Sequence, residues 1–195
     1  MKNLIRSTTQ LAMFFVSQYL RPGGTAVDAT CGNGNDTVAL ARAGAKDIYA
    51  FDIQKTAIER TKAALVKENL YSENIHLIQD SHENMGAYIK GNVQAVVFNL
   101  GYLPAASKEI ATCGETTVKA VKAALRLLSV DGLVCITMYS GHPGGEEEKR
   151  KVLELARGLD QRIYHAAYIN MLNQQNHPPE ILLITLKRGV EFEED

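Results

Sequence analysis

The stretch VDATCGNGNDT, Val27 to Thr37, decides the fold of this chain. A short apolar strand runs into a turn that contains Gly32 and Gly34, and a helix opens directly after the turn. Glycines let the backbone approach a ligand closely, and the start of the helix offers N–H groups at a positive helix end. The stretch therefore predicts a ligand site at the carboxyl end of the first strand of an α/β sheet.

A carboxylate at a fixed spacing after this turn indicates which class of ligand binds there. Asp52 ends the second apolar strand, 18 residues after Gly34, where an acidic residue binds the ribose hydroxyls of an adenosine. A dinucleotide-binding turn has a third glycine three residues after the second, and this chain has Thr37 there. The turn is lined instead by acids and amides, namely Asp28, Asn33, Asn35 and Asp36. Such a lining suits the sulfonium and ammonium groups of S-adenosylmethionine better than a pyrophosphate.

Segments typical of strands and of helices alternate along the chain, which predicts right-handed βαβ units and a parallel sheet. Strands are predicted at 25–28, 47–51, 75–78, 93–98, 133–138, 162–171 and 180–187. Helices are predicted at about 1–20, 35–43, 55–69, 116–128 and 146–159. No helix separates the last two strands, so they are expected to form an antiparallel hairpin at one edge. The predicted fold is one α/β, Rossmann-like domain over 1–195, with a seven-stranded, mostly parallel sheet, one antiparallel strand and flanking helices.

Composition and the chain ends limit the classes of function. With 21 Lys and Arg against 22 Asp and Glu, the net charge is −1, which argues against a generic polyanion binder but allows a local basic patch. Three widely spaced cysteines give neither a disulfide framework nor a metal site, and they fit a cytoplasmic protein. The first helix is expected to present Leu11, Phe15 and Tyr19 on one face. No apolar span is long enough to cross a membrane. The acidic tail 191–195 is expected to fray.

The segment after the third strand has two interpretations that do not exclude one another. Asp80 can accept a hydrogen bond from an adenine amino group. Alternatively, Asp80 or Ser81 can cap a short helix that runs through Glu83 and Asn84.

The fourth strand runs into FNLGYLP, Phe98 to Pro104, where a polar amide ends an apolar run. This strand is expected beside the first, at the point of the sheet where ligands bind, so that Asn99 faces the cofactor. Amine methyltransferases place Asn or Asp at this point, followed by Pro-Pro and an aromatic residue, and the amide oxygen orients the target amine. Here Leu-Gly replaces Pro-Pro and Tyr102 supplies the ring. The alternative is a plain Asn-x-Gly turn.

Five motifs together, VDATCGNGNDT, FDIQ, NLGYLP, YSGHPGG and NQQNHPPE, extend over nearly the whole chain. With them the sequence resembles the small bacterial family labelled "putative rRNA methylase". That family includes the stand-alone tRNA methyltransferase that converts the wobble nucleoside 5-aminomethyl-2-thiouridine to its methylaminomethyl form. The resemblance implies a class I methyltransferase fold, S-adenosylmethionine as cofactor, the anticodon region of tRNA as partner, and an exocyclic amine as target. A homodimer is compatible with the sequence.

The motifs also imply which residues form the site. Catalysis is assigned to Asn99, Tyr102 and His142, with His142, His177 or water as the acceptor of the amine proton. Substrate binding is assigned to Tyr102, Tyr139, His142, Asn173, Asn176 and His177. Cofactor binding is assigned to Asp28, Thr30, Gly32, Asn33, Gly34, Asn35, Asp36, Asp52, Ile53, Gln54, Asp80, Ser81, His82, Asn99 and Gly101.

Basic residues after the fourth and fifth strands are candidates for contacts with RNA. They are Lys108, Lys119, Lys122, Arg126, Lys149, Arg150 and Lys151. The last three follow Glu146–Glu148, so pairing with those glutamates on a solvated helix is the alternative interpretation.

Other functions remain open from the sequence. A small-molecule N- or O-methyltransferase and an rRNA methyltransferase both fit the cofactor turn. A nicotinamide-dependent oxidoreductase is disfavoured by Thr37. Carbon methylation through a thiol nucleophile would need Cys113, which follows NLGYLP.

Overall fold

The computed structural model describes residues 7–101, 114–175 and 178–187. The helices are α1 (Thr8–Tyr19), α2 (Asn35–Arg42), α3 (Lys55–Lys67), α4 (Met85–Tyr88), α5 (Gly114–Leu127) and α6 (Gly145–Arg157). The strands are β1 (Thr25–Asp28), β2 (Asp47–Phe51), β3 (Ile75–Ile78), β4 (Val93–Leu100), β5 (Leu128–Met138), β6 (Tyr164–Ile169) and β7 (Glu180–Leu186). The predictions for Tyr102, Lys108, Cys113, Asn176, His177 and the tail 191–195 lie outside the described residues.

All seven strands form one sheet in the order β3-β2-β1-β4-β5-β7-β6. Neighbouring strands from β3 to β5 pair in parallel, and β7 is antiparallel to both β5 and β6. The predicted sheet, with one antiparallel strand and a hairpin at one edge, is confirmed. Because the chain order reverses between β1 and β4, the carboxyl ends of these two strands form the crevice where open α/β sheets bind ligands.

Two strands are longer than their apolar patterns indicated. β4 continues beyond Phe98, because Asn99 and Leu100 pair with the last two residues of β5. β5 begins at Leu128, five residues earlier than predicted, and the Asp131-Gly132 pair, typical of a turn in sequence, lies inside it at a shift in the β4–β5 register. Asp131 keeps its turn conformation there, with φ of 60°. A polar turn within a strand is invisible to a search for alternating or continuous apolar residues.

The centre of the sheet is buried on both faces, which explains the continuous apolar run of β4, whereas the edge strand β6 is mostly exposed. Val96 and Phe98 pack with α4, α5 and α6 on one face, whereas Ala95 and Val97 pack with α1, α2 and α3 on the other. Successive side chains of a strand point to opposite faces, so a strand covered on both sides needs apolar residues at every position.

The buried face of α1 differs from the predicted one. Thr8, Ala12 and Val16 are buried, whereas the predicted stripe of larger residues is only partly buried. The smaller residues bring the helix close to β5, where the Cys135 thiol donates to the Ala12 carbonyl oxygen at 3.9 Å. Size alone misleads here, because the closest helix–sheet contact excludes bulky side chains. None of the helices in the described part of the chain is both long and apolar enough to pass through a membrane.

The Gly34→Ala substitution should destabilise the fold. Gly34 has φ of +82°, and a Cβ there would lie 2.8 Å from the Cα of Thr61 on α3. We expect a loss of about 1–3 kcal/mol in the free energy of unfolding by urea denaturation. Gly86→Ala is the matched control, because a Cβ at Gly86 meets no atom within 4 Å and the position is helical. A Gly34→Ala variant as stable as the Gly86→Ala variant would contradict this account.

Candidate active site

Four segments meet at the carboxyl edge of the parallel strands. They are the glycine turn after β1, Asp52 after β2, the end of β4 at Asn99, and the segment 139–145 after β5. Each lies in the last residues of a strand or directly after it, so the register of the strands fixes the positions of these residues at the predicted ligand edge.

Asp52 ties the end of β2 to the glycine turn. Its carboxylate accepts hydrogen bonds from the backbone N–H groups of Gly32, at 3.1 Å, and Gln54, at 2.9 Å. Burial raises the pKa of Asp52, and these two backbone donors oppose that shift. Each carboxylate oxygen has a further lone pair, so Asp52 can still accept from a pair of hydroxyl groups. Ile53, beside it, is 55% exposed and offers an apolar surface at the same edge.

Asp28 is completely buried below the turn, and its need for a hydroxyl donor explains why position 37 is threonine and not the third glycine of a dinucleotide-binding turn. The Thr37 hydroxyl donates to Asp28 Oδ2 at 2.6 Å, and the Thr30 N–H donates to Oδ1 at 3.2 Å. Burial and then the charge of Asp36 raise the pKa of Asp28 to about 7. The third glycine of a dinucleotide-binding turn would leave this buried carboxylate without its hydroxyl donor.

Asn99 is held at two of its polar groups by the neighbouring turn and helix. Its backbone N–H donates to Thr30 Oγ1 at 2.7 Å, and its Nδ2 donates to Asp36 Oδ2. Its side-chain Oδ1 is buried and has no hydrogen-bond partner among the residues that the structure describes. A buried acceptor without a partner costs free energy, so the amide oxygen is suited to accept a hydrogen bond from a bound ligand.

The structure brings three further predicted residues together beside Asn99. A Cβ built at Gly101 would lie 3.6 Å from Tyr139 Cβ and 3.9 Å from His142 Nε2. The backbone N–H of Tyr139 donates to the Leu100 carbonyl at 3.2 Å, which continues the β4–β5 pairing past the strand end. Gly101, Tyr139 and His142 therefore share one rim of the site.

A contact between Tyr139 and the first helix was not predicted from the sequence. The Tyr139 hydroxyl lies 3.4 Å from Thr9 Oγ1, so the first turn of α1 reaches the site. The sequence distance between the two residues hides this contact, and only the packing of α1 on β5 brings them together.

Other predicted cofactor residues use their side chains within the protein. Asp80 accepts from the Ser81 N–H, the Asn84 amide and the Tyr88 hydroxyl, at 2.7, 3.0 and 2.8 Å. Ser81 occupies the N-cap position of the short helical segment His82–Asn84 but makes no side-chain capping bond, so capping by the Ser81 hydroxyl is wrong. The backbone N–H that Asp80 binds is that of Ser81, before the first helical residue. The contact of Asp80 with adenine stays a prediction.

His82 is buried, and the described contacts of its ring lie within the protein. Its Nδ1 lies 3.1 Å from the Ala29 carbonyl oxygen, and the ring packs edge-on against Phe98. Burial lowers the pKa of His82, which favours the neutral imidazole. The contact of His82 with the cofactor stays a prediction.

The remaining predicted side chains lie on the exposed rim. Asn33 and Asn35 are exposed on the glycine turn, and Asn33 Oδ1 accepts from Arg60 at 3.3 Å. Asn173 is exposed in the loop between β6 and β7. Because β7 begins opposite the end of β5, that loop leaves the sheet at the same edge as the site.

The basic candidates on α6 are paired, as the alternative interpretation predicted. Lys149 lies 3.8 Å from Glu146, and Arg150 and Lys151 lie 2.7 and 3.6 Å from Glu147. Glu148 is instead buried and accepts from the Thr117 hydroxyl at 2.6 Å. On α5, Lys119 pairs with Glu83 at 3.4 Å. The remaining candidates on α5, Lys122 and Arg126, are exposed, but Arg126 lies in the last turn, next to the start of β5 and away from the site.

No group of three or more possible metal ligands occurs within the described ranges. Cys31 and Cys135 are buried and carry free thiols. Burial raises the pKa of Cys135 to about 12 and raises that of Cys31 as well, so neither thiol is a ready nucleophile.

The fold and this edge of the sheet are those of a class I S-adenosylmethionine-dependent methyltransferase. Residues 48–185 match the family described as "Putative rRNA methylase", and the chain belongs to that family. The family that the sequence resembled is thereby confirmed, as is the cofactor.

Three relatives are similar over most of the chain. The "tRNA (mnm(5)s(2)U34)-methyltransferase, chloroplastic" of Arabidopsis thaliana is 38% identical over 194 residues, 94% of this chain and 70% of that protein. A "putative rRNA-methylase" from Clostridium thermocellum is 39% identical with a TM-score of 0.89, and the match covers 93% of this chain and 98% of that one. A "putative methyltransferase" from Streptococcus mutans, solved in complex with SAH, is 39% identical with a TM-score of 0.85, and that match covers 95% and 99%.

The residues at this edge fit the cofactor chemically. The carboxylates of Asp28, Asp36 and Asp52 concentrate negative charge beside the glycine turn, which suits a ligand that carries a sulfonium and an ammonium group. Asp52 has acceptor capacity for ribose hydroxyls, and the exposed side chain of Ile53 suits a flat apolar ring. Which of these side chains touches the cofactor stays a prediction.

Asp28 should make the stability of the cofactor-free protein fall as pH rises. Its pKa is about 7 in the folded chain and 3.8 ordinarily, so the folded chain binds the proton more tightly than the unfolded chain. This stabilisation is complete below about pH 4 and is lost as pH rises towards about 7. We expect the free energy of unfolding to be lower at about pH 8 than at about pH 5, and this difference to shrink in Asp28→Asn.

The control for this titration is Asp47→Asn, at the amino end of β2 and away from the site. It should keep the slope of the unsubstituted protein. Equal slopes for Asp28→Asn and the unsubstituted protein, measured by urea denaturation, would show that Asp28 does not titrate in this range.

Proposed function

We propose that this methyltransferase transfers a methyl group to the exocyclic amine of 5-aminomethyl-2-thiouridine at the wobble position of tRNA. The observation that carries the proposal is the buried Oδ1 of Asn99 at the carboxyl edge of β4. This acceptor matches an N–H donor such as an amine. The 38% identity to a tRNA (mnm(5)s(2)U34)-methyltransferase supports tRNA as the substrate.

Asn99 orients the amine. When Oδ1 accepts one N–H of a primary amine, the nitrogen lone pair points away from Asn99, in a direction fixed by the amide. The amide is itself fixed, because Thr30 holds the backbone of Asn99 and Asp36 holds its Nδ2. Bound S-adenosylmethionine supplies the electrophilic methyl group. The contribution of this chain is therefore positioning within a preorganised edge of the sheet.

The amine must lose a proton, and His142 is suited to accept it. His142 lies at the same rim as Gly101, and its Nε2 is buried there, 3.9 Å from a Cβ built at Gly101. Its Nδ1 lies 3.0 Å from the Pro143 carbonyl, which orients the ring. We assign His142 as the proton acceptor, with His177 and water as the alternatives.

Leu100 and Gly101 occupy the places of the two prolines of other amine methyltransferases. Leu100 is buried in the core, and Gly101 lies against Tyr139 and His142. This rim is less rigid than a Pro-Pro clamp, which suits an aliphatic aminomethyl group better than a ring amine.

The proposal extends to the partner of this protein and to its location in the cell. The anticodon region of tRNA is the proposed partner, and the cytoplasm is the proposed location. A homodimer stays a prediction. The family description favours a second candidate, an amine of rRNA, which the same geometry would serve.

The direct test uses labelled S-adenosylmethionine and tRNA from a strain that lacks this gene, followed by nucleoside mass spectrometry. We expect 5-aminomethyl-2-thiouridine to gain the mass of one methylene group. Asn99→Ala should retain SAH binding and lose turnover by about 100-fold or more, because the amine is no longer oriented. Asn92→Ala, at an exposed position before β4, is the matched control and should behave like the unsubstituted protein.

The outcomes separate the candidates. Label in rRNA but not in tRNA would replace the proposed substrate with the second candidate. Label in neither RNA, with SAH binding intact, would leave a small-molecule acceptor. Normal turnover in Asn99→Ala would remove Asn99 from the mechanism.

A further inference from the structure

The sequence places Asp36 among the cofactor ligands, but the structure gives its carboxylate a different neighbour. Asp36 lies in the first turn of α2 and is 7% exposed. Its Oδ2 accepts a hydrogen bond from Nδ2 of Asn99, across the gap between α2 and β4. The Asn99 hydrogen bond lowers the pKa of Asp36 against the larger raising effect of burial.

This contact decides which end of the Asn99 amide faces the site. An asparagine side chain can turn over, exchanging its oxygen and its NH₂ group at little cost in shape. Beside a carboxylate only one orientation is favourable, because the NH₂ group donates to Asp36 whereas the amide oxygen would be repelled by it. With the NH₂ group held by Asp36, the oxygen lies on the other side, where it has no partner among the described residues.

We propose that Asp36 is a positioning residue for the transfer reaction. Its carboxylate holds the Asn99 amide so that Oδ1, and not Nδ2, faces the incoming amine. If the amide were reversed, an NH₂ group would face the amine and compete for the lone pair that attacks the methyl group. The inference rests on the proposed function, because it assigns Asp36 a role in orienting an amine acceptor.

The role depends on the ionised form of Asp36. A protonated Asp36 becomes a hydrogen-bond donor, and the Asn99 oxygen can then turn towards it. The titratable groups that face Asp36 are Asp28 at the end of β1 and the Cys135 thiol on β5, while Asp52, just after β2, acts on Asp28. Burial opposes ionisation of Asp36, whereas the Asn99 hydrogen bond and the positive end of α2 favour it. Turnover is therefore expected to fall on the acidic side as Asp36 takes up a proton.

The first test is Asp36→Asn, which keeps the shape and removes the charge. We expect kcat to fall about 10- to 100-fold and the acidic limb of its pH profile to flatten. The dissociation constant for SAH should stay within about threefold, because SAH lacks the sulfonium charge and the Asp36 carboxylate is bound to Asn99. A dissociation constant raised about tenfold or more with kcat unchanged would make Asp36 a cofactor ligand and overturn the proposal. Asp47→Asn is the matched control and should change neither quantity.

A double-mutant cycle tests whether Asp36 acts through Asn99. If it does, Asp36→Asn should cost little or nothing in a protein that already carries Asn99→Ala. Losses that multiply in the double variant would show an independent role for Asp36 and would overturn the proposal.

A third measurement does not need the substrate, so it separates this inference from the proposed function. In protein labelled with ¹⁵N-asparagine, the side-chain NH₂ signals of Asn99 are identified by their absence in Asn99→Ala. We expect these signals to titrate with pH and to shift in Asp36→Asn, whichever RNA or metabolite is methylated. Signals that neither titrate nor shift would mean that Asp36 does not hold the amide. If they behave as expected while tRNA gains no methyl group, the proposed substrate alone fails.

Discussion

The parallel pairing of β1 with β4 is the constraint on which the rest of the site depends. Ala26, Val27 and Asp28 lie opposite Ala95, Val96 and Val97, and the Ala29 N–H donates to the Val97 carbonyl at 2.9 Å. These two strands are remote in sequence, and their register alone decides that the glycine turn and Asn99 end side by side. A slip of one residue would reverse the faces of β4 and move Asn99 away from the turn. The apolar residues on both faces of β4 prevent such a slip, because each face packs against its own layer of helices.

The buried carboxylates of the site destabilise the folded chain. Asp28 and Asp36 are both buried, and burial raises the pKa of each carboxyl, while the charge of Asp36 raises that of Asp28 further. A protein selected for stability alone would place apolar residues there. A cation bound between the glycine turn and Asn99 would relieve the repulsion, and we expect binding of a sulfonium cofactor to stabilise the folded chain for that reason.

The sequence was sufficient for the order of the elements and for the edge at which the ligand binds. Val27–Thr37 predicts a strand, a glycine turn and a helix, and the apolar run before Asn99 predicts a buried strand. Both predictions rest on residues close together in sequence, and the structure contains both elements. The contacts that give the residues their roles are not local. The hydrogen bonds of Asn99 to Thr30 and Asp36 span 69 and 63 residues, and nothing in the spacing of the motifs shows that Asp36 turns towards β4.

The errors have the same origin. The size of Leu11, Phe15 and Tyr19 suggested the packed face of α1, but close approach to β5 favours the smaller residues one position along. Ser81 occupies the N-cap position of the short helical segment but makes no capping bond, and the neighbouring Asp80 binds the side chains of Asn84 and Tyr88. In each case tertiary packing chose between local possibilities that the sequence left equivalent.

The central claim is that Oδ1 of Asn99 receives the amine to which the methyl group is transferred. A crystal structure with SAH and the nucleoside 5-aminomethyl-2-thiouridine tests it most directly. The account predicts that the amine nitrogen of the nucleoside lies within about 3.2 Å of Asn99 Oδ1, with Asn99 Nδ2 still bound to Asp36. An amine that binds away from Asn99 Oδ1, or an amide whose Nδ2 has left Asp36, would contradict it.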